Sequence, residues 1–335
     1  MKENCITLAH GSGGLAMERL IRELFVETFV DPELSRLEDQ ARLELPPGRP
    51  AFTTDAYVVD PLCFPGGDIG RLAVCGTVND LVAGGACPLF LSCAFILEEG
   101  LSIADLQRLV RSMKVAADEA RVRIVTGDTK VVPKWAADRM FITTAGVGVI
   151  PPGVELGADK IRPGDRILVT GPIGDHGAAV LDARGELALT HSIHSDCRPL
   201  GALVRHLLDS CLVHAMRDPT RGGLAAVLNE YARASGLCLT IREDSIPVNE
   251  PVRGLCELLG LDPLYLACEG RMVAVVPEGV AEKALACLRS HPDGRHAALV
   301  GEVREKPASQ VILHTSFGSE RIVDQPEGEP LPRIC

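Results

Sequence analysis

The sequence lacks the marks of several large functional classes. Its twelve cysteines contain no C-x-x-C pair, which disfavours a zinc ribbon or a thioredoxin-type redox site. No run of 18 apolar residues occurs, and the opening MKENCITLAH is no charged-then-apolar leader. No membrane span or secretory signal is therefore expected, and the protein is read as cytoplasmic with reduced thiols. Lys and Arg do not cluster, and at 34 against 45 Asp and Glu they leave a formal net charge of -11. A nucleic-acid partner, which requires clustered cations against phosphate, is disfavoured accordingly. There is no G-x-x-x-x-G-K-[ST] loop, and no G-x-G-x-x-G follows a strand-like run, so P-loop and Rossmann sites are not expected. No internal repeat of fixed period is found.

What is present describes a globular protein. The 335 residues are 46% hydrophobic and 24% charged, with 33 Gly and one Trp, which suits two domains that each bury a core. An acidic protein that binds a polyphosphate would recruit it through metal ions held on carboxylates. Strands and helices mix throughout, so the fold class is α/β of the mixed kind. Cys5 to Ala9 reads as a short strand. Leu15, Leu20, Ile21, Leu24 and Phe25 then recur at helical spacing. Three segments, Ala51 to Asp55, Ala73 to Asp80 and Arg123 to Asp128, run from apolar residues into a terminal Asp and read as strands or strand-to-helix junctions. A helix is expected from about Asp105, and a strand over Met140 to Val149. Pro151, Pro152 and Gly153, then Pro163 and Gly164, break both periodicities. They set the expected boundaries: 1–152, 153–315 and a flexible tail over 316–335. The second domain is expected to hold a strand over Arg166 to Thr170, helices near His176 to Arg184 and Leu224 to Ala234, and a β-α-β run from Arg271 to Val303.

Three constellations bear on chemistry. Asp55, Asp80 and Asp128 would meet at one sheet edge and hold Mg²⁺ against a triphosphate, although any one of them alone reads equally as a turn or helix cap. His10-Gly11-Ser12-Gly13-Gly14 and Asp218-Pro219-Thr220-Arg221-Gly222-Gly223 each lead into a helix and offer backbone amides to an anion, with Arg221 and Lys130 as charge partners. An ordinary glycine-rich turn explains the same spacing. Cys335 closes the chain behind Pro330-Leu331-Pro332-Arg333-Ile334, a stretch stiffened towards an extended form. A thiol tethered on such an arm gains effective concentration at an internal site. His191, His194 and Cys197 fit no ligand spacing and receive no role.

Taken together, these segments resemble the HypE family of carbamoyl dehydratases in [NiFe]-hydrogenase maturation, within the AIR-synthase (PurM-like) superfamily. The carriers are LAHGSGG (Leu8 to Gly14), EDQARL (Glu38 to Leu43), FTTDAYVVDPL (Phe52 to Leu62) and FPGGDIGRLAVCGTVNDL (Phe64 to Leu81). They continue with IVTGDTKVV (Ile124 to Val132), GDHGAAVL (Gly174 to Leu181), RDPTRGGL (Arg217 to Leu224) and the terminal PRIC. The aspartate and glycine motifs recur across the superfamily; PRIC is the specific part.

The resemblance implies a two-domain PurM-like fold. Its N-terminal sheet would pair in a homodimer barrel, with a C-terminal α/β layer above it. It implies that a carbamoyltransferase, HypF, loads a carbamoyl group onto Cys335, and that ATP drives its dehydration to a protein thiocyanate. The cyanide would then pass to a HypC–HypD complex. The implied ATP site comprises His10, Gly11, Gly13, Gly14, Asp55, Asn79, Asp80, Gly127, Asp128, Asp218 and Arg221. Mg²⁺ would sit on Asp55, Asp80 and Asp128. Lys130 would lie near the transferring phosphoryl group, and Glu269 would be the base. The competing expectations are another superfamily activity, selenide dikinase or aminoimidazole ribonucleotide synthase, and a nucleotide-gated scaffold without catalysis. Dependence on Cys335 separates them.

Overall fold

The computed structural model describes residues 4–185, 193–325 and 333–335. Helices α1 (Leu15–Leu20) and α2 (Glu27–Phe29) flank a π-helical stretch, Ile21–Val26. The amphipathic run is thus one helical segment that buries Leu20, Leu24, Phe25 and Phe29. Before it, the expected strand from Cys5 to Ala9 reduces to a single bridge between Cys5 and Ser102. The chain turns there into a 3-10 segment, Leu8–Gly11, because Thr7 N–H donates back to His10 Nδ1 at 3.0 Å.

Strands β1 (Arg49–Tyr57), β4 (Cys87–Glu98), β5 (Arg123–Val132) and β6 (Met140–Ile150) form an open sheet in the order β1-β6-β4-β5; β2 (Cys63–Phe64) and β3 (Gly67–Asp68) make a small hairpin. Helix α3 (Ile69–Ala83) is capped by the Asp68 carboxylate on Arg71 N–H at 2.9 Å, the usual way of satisfying an orphan amide. It contains all of Ala73 to Asp80, which the sequence reading made strand-like. That reading fails because α3 is buried on almost every side, so it carries no amphipathic stripe, and short apolar runs do not distinguish helix from strand. Helix α4 (Ile103–Ala120) behaves as its pattern predicts. Ser102 caps it, Asp105 lies in its first turn, and Leu106, Leu109, Val110 and Met113 face inward.

The second sheet has seven strands in the order β13-β12-β9-β11-β7-β10-β8. These are β7 (Arg166–Val169), β8 (Ala215–Arg217), β9 (Cys238–Arg242), β10 (Val273–Val276), β11 (Ala298–Arg304), β12 (Val311–His314) and β13 (Glu320–Ile322). Pairing is antiparallel except between β12 and β9. Helices α5 (Asp175–Ala183), α6 (Gly201–Leu208), α7 (Gly223–Ser235), α8 (Glu250–Leu259) and α9 (Ala281–Ser290) complete the description. β13 belongs to the folded sheet and Val323 just after it to the core, both inside the stretch expected as a tail from 316.

Alternation along β7 and β10 divides the interior. Ile167, Val169, Val273 and Val275 face Leu224, Leu228 and Tyr231 of α7 in one core. Leu168, Ala274 and Val276 face the other way, into a core they share with α5, α6, α9 and the first domain's α3 and α4. That shared core brings the second domain against the first, beside β1 and α3.

Among the described residues, no helix is long and apolar enough to cross a membrane.

Candidate active site

A cavity of about 210 Å³ opens where β1, α3 and the second domain meet, and Asp55, Asp80, Asp218, Arg221, Glu269 and Cys335 all contribute to its wall. They arrive on several different elements. Asp55 lies on β1, on the face that carries Tyr57 towards α3. Asp80 lies on α3, where the Thr53 hydroxyl donates to its Oδ2 at 2.9 Å. Asp218 and Arg221 occupy the turn between β8 and α7. Glu269 precedes β10.

Burial and like charge govern this cluster. Glu269 is 2% exposed; burial first, then the charges of Asp218, Asp196 and Asp55, hold its carboxyl well above the carboxylate range. Asp218 is pushed up to about 7 by burial and by Asp80. Asp80 is also raised, by burial and then by Asp55, against the hydrogen bond from Thr53 and the charges of Arg217 and Arg221. A cation in this site would favour the ionised carboxylates over their protonated forms.

The backbone of Glu269 is fixed by residues outside the motifs. Asp196 accepts Glu269 N–H at 3.0 Å and Gly270 N–H at 3.2 Å. A Cβ on Gly270 would overlap the Asp196 carbonyl, so this close approach requires glycine. Asn79, expected in the nucleotide site, is spent here instead. Its Nδ2 donates to the carbonyls of Arg198 at 3.0 Å and Glu269 at 3.3 Å, while Oδ1 accepts Leu200 N–H at 2.8 Å. All its bonding capacity in these contacts goes to backbone, so its place is to tie α3 to the second domain.

The chain terminus reaches the same cavity. Val58 N–H donates to an oxygen of the Cys335 terminal carboxylate at 3.2 Å, and Asp60 N–H to the Arg333 carbonyl at 3.3 Å. The terminal residues therefore lie along the chain just beyond β1. Ile334 is 3% exposed and joins the shared core. The carbonyl of Ile334 meets His176 Nε2 at 2.8 Å, and that of Arg333 accepts from Arg184 Nη2 at 3.1 Å. The Arg333 guanidinium lies 2.7 Å from Asp138 as an ion pair without hydrogen-bond alignment. Pro330, Leu331 and Pro332 of the expected stiff arm, and His191, lie outside the described residues.

The remaining expected residues gather elsewhere. Gly13, Gly127 and Asp128 line a second, apolar cavity of about 310 Å³ with Phe25, Phe95 and Ile124. Lys130 pairs with Asp128 at 2.7 Å. Buried His10 turns towards Thr7, and Gly11 packs so closely on Val131 that a Cβ would lie 2.8 Å from its nitrogen. Asp55 and Asp128 occupy the two edge strands of a four-stranded sheet, with β6 and β4 between them. Three strand spacings separate them by about 14 Å, so one chain does not bring them to one ion. The carboxylates that do join Asp55 and Asp80 in the first cavity are Asp218 and Glu269. Sequence reasoning placed Asp218 with the nucleotide, not the metal, and saw nothing in Asp196 or Ser195, which lie in a stretch without a motif.

Comparison with known proteins follows the same lines. The family models for AIR synthase related proteins match in both halves, the N-terminal domain over 37–150 and the C-terminal domain over 162–314. The carbamoyl dehydratase HypE of Rhodobacter capsulatus is 55% identical over 341 residues, covering 100% of this chain and 99% of its own. A crystal structure of the hydrogenase maturation protein HypE in complex with ATP superposes with a TM-score of 0.94 at 50% identity, covering 98% of this chain and 99% of that one. A chain of a crystallised HypE–HypF complex aligns with a TM-score of 0.80 at 47% identity, over 92% of this chain and 99% of that one.

Proposed function

Because the chain belongs to the HypE family of AIR synthase related proteins, we propose that it dehydrates a carbamoyl group carried on its own Cys335, using ATP, in hydrogenase maturation. One observation carries the reading. The last residue of the chain lines a cavity with four carboxylates and Arg221, where a terminal thiol on a frayed tail would ordinarily be left in solvent.

The steps follow from the chemistry of a thiocarbamate. Its oxygen is a poor leaving group, so it first attacks the γ-phosphoryl group of ATP, and the bond from that phosphorus to the bridging oxygen breaks to release ADP. Nitrogen then gives up both of its protons, the first to leave a neutral phosphorylated imidate and the second to a base as the elimination proceeds. The C–O bond breaks with loss of phosphate, leaving S–C≡N on the cysteine. Glu269, buried and lining the same cavity as Cys335, is the candidate for that base when ionised. Arg221 supplies positive charge to the phosphoryl group.

A divalent cation would supply charge neutralisation for the triphosphate. Asp55, Asp80 and Asp218 are hard oxygen donors of the type Mg²⁺ takes, and the raised carboxyls of Asp80 and Asp218 fit such a partner. Among the described residues, no three carboxylate, imidazole or thiol groups are gathered closely enough to hold an ion alone; phosphate oxygens and water would complete the shell. Asp128 would enter this site from a second copy, if two sheets pair edge to edge in a homodimer, β1 against β5. The apolar cavity beside Asp128 would then lie next to the nucleotide. Loading by a carbamoyltransferase of the HypF kind is supported by the relative crystallised in a HypE–HypF complex, and transfer onward to a HypC–HypD complex is the continuation that the family resemblance implies.

The test is mass spectrometry of the C-terminal peptide after incubation with the carbamoyltransferase, carbamoyl phosphate and ATP. A carbamoyl adduct on Cys335 that loses one water only when ATP is present is expected. ATP consumption with an unmodified peptide would overturn the reading in favour of a small-molecule substrate.

A further inference from the structure

The ring of His176 is one of the points at which the folded body holds the chain terminus, and we propose that His176 is a positioning residue, a latch on the Ile334 carbonyl that presents Cys335 to the cavity. The inference rests on Cys335 as carrier of the reacting group.

The hydrogen-bond directions leave one arrangement. The Ile334 carbonyl only accepts, so His176 Nε2 carries the proton across the 2.8 Å contact. The neutral ring then has an acceptor at Nδ1, which receives the Ser195 hydroxyl at 2.9 Å. That hydroxyl oxygen in turn accepts Cys197 N–H at 3.1 Å. A chain of donors thus runs from the backbone of 197 through Ser195 to the ring and ends on the penultimate carbonyl. Burial keeps the ring neutral: His176 is 0% exposed and its pKa is lowered by desolvation. The edge contact with Phe64, centroids 5.2 Å apart, fixes the ring plane.

The same short segment holds the proposed base. Ser195 is anchored by its own N–H on the Pro65 carbonyl at 2.8 Å, and its neighbour Asp196 takes the Glu269 and Gly270 amides. Residues 195 and 196 therefore set both the base and, through His176, the group it acts on. The Arg333 ion pair with Asp138 is half-exposed, and such pairs hold little. A fully buried bond to a carbonyl is costlier to break, because both groups lose their partners.

The test is the alkylation rate of Cys335, read by mass spectrometry against exposed Cys5 in the same full-length protein, without ATP or partner. His176→Phe keeps a slightly larger aromatic ring and removes both nitrogens. It should speed alkylation of Cys335 about fivefold, the equivalent of one net hydrogen bond, with Cys5 unchanged. His176→Gln places an amide N–H where Nε2 stood and should restore most of the protection. If Phe unfolds the protein by melting, Ser195→Ala gives the reading, with a smaller acceleration expected. Unchanged alkylation in a folded Phe or Ala variant, or equal release by Phe and Gln, overturns the latch. Latch variants that behave as expected in a protein that never yields a dehydrated peptide would sink the catalytic reading alone.

Discussion

The carboxylate of Asp196 accepts the backbone N–H of Glu269 at 3.0 Å, so the proposed base is held by a residue that never touches the reacting group. Asp196→Asn keeps the shape but turns one acceptor oxygen into a donor facing an amide. A loss of about 1–3 kcal/mol is expected, together with slower thiocyanate formation at unchanged nucleotide affinity. Urea denaturation and nucleotide titration of the same variant check both parts.

Glu269→Gln removes the proton acceptor with little change of volume. The phosphorylation half should survive and the elimination half should stop. Single-turnover incubation of carbamoylated protein is expected to release ADP without forming S–C≡N. Normal thiocyanate yield would remove Glu269 from the mechanism.

The edge-strand separation of Asp55 and Asp128 gives a complementation test of the proposed dimer. Asp55→Asn and Asp128→Asn should each cost at least about 100-fold in rate. Random mixing after unfolding and refolding makes half the dimers hybrid, each with one intact composite site, so about a quarter of wild-type activity should return. No recovery on mixing would place both residues in the same subunit's site or in none.

Asp175 sets a pH dependence of stability. Burial first, and then the charge of Asp196, push its carboxyl up to about 6 against the hydrogen bond from Asn249 and the charge of Arg271. The folded value lies above the unfolded 3.8, so the folded state favours the protonated form. This contribution is fully present below the unfolded value and is lost as pH rises through about 6. Asp175→Asn should flatten the stability profile between about pH 4 and 6, by at most about 3 kcal/mol. Denaturation midpoints across that range are the measurement.

What the sequence disclosed divides by physical cause. Helix α4 and strand β6 were legible because each has one buried face, which leaves its period in the order of apolar residues. Helix α3 was not, since burial on all sides erases that period. The carboxylates were legible as types because hard-cation and phosphate chemistry restricts which residues can serve. Their grouping was not: that Asp218 stands with Asp55 and Asp80 while Asp128 lies three strands away depends on sheet order, which local patterns do not encode. Ser195 and Asp196 left no signal at all. Their work is done on backbone amides and one imidazole nitrogen, contacts fixed by where a loop packs rather than by any spacing.

The core that runs without a break from α3 and α4 into α6 and α9 ties the halves into one cooperative unit. Each half, made alone, would present to water an oily wall that the other now covers. Calorimetry of the whole chain should therefore record one endotherm, not two, and separately expressed halves should precipitate unless mixed. Opening the site by swinging the domains apart would strip that wall. Access for the loaded cysteine is cheaper through release of the last three residues than through any gape of the body.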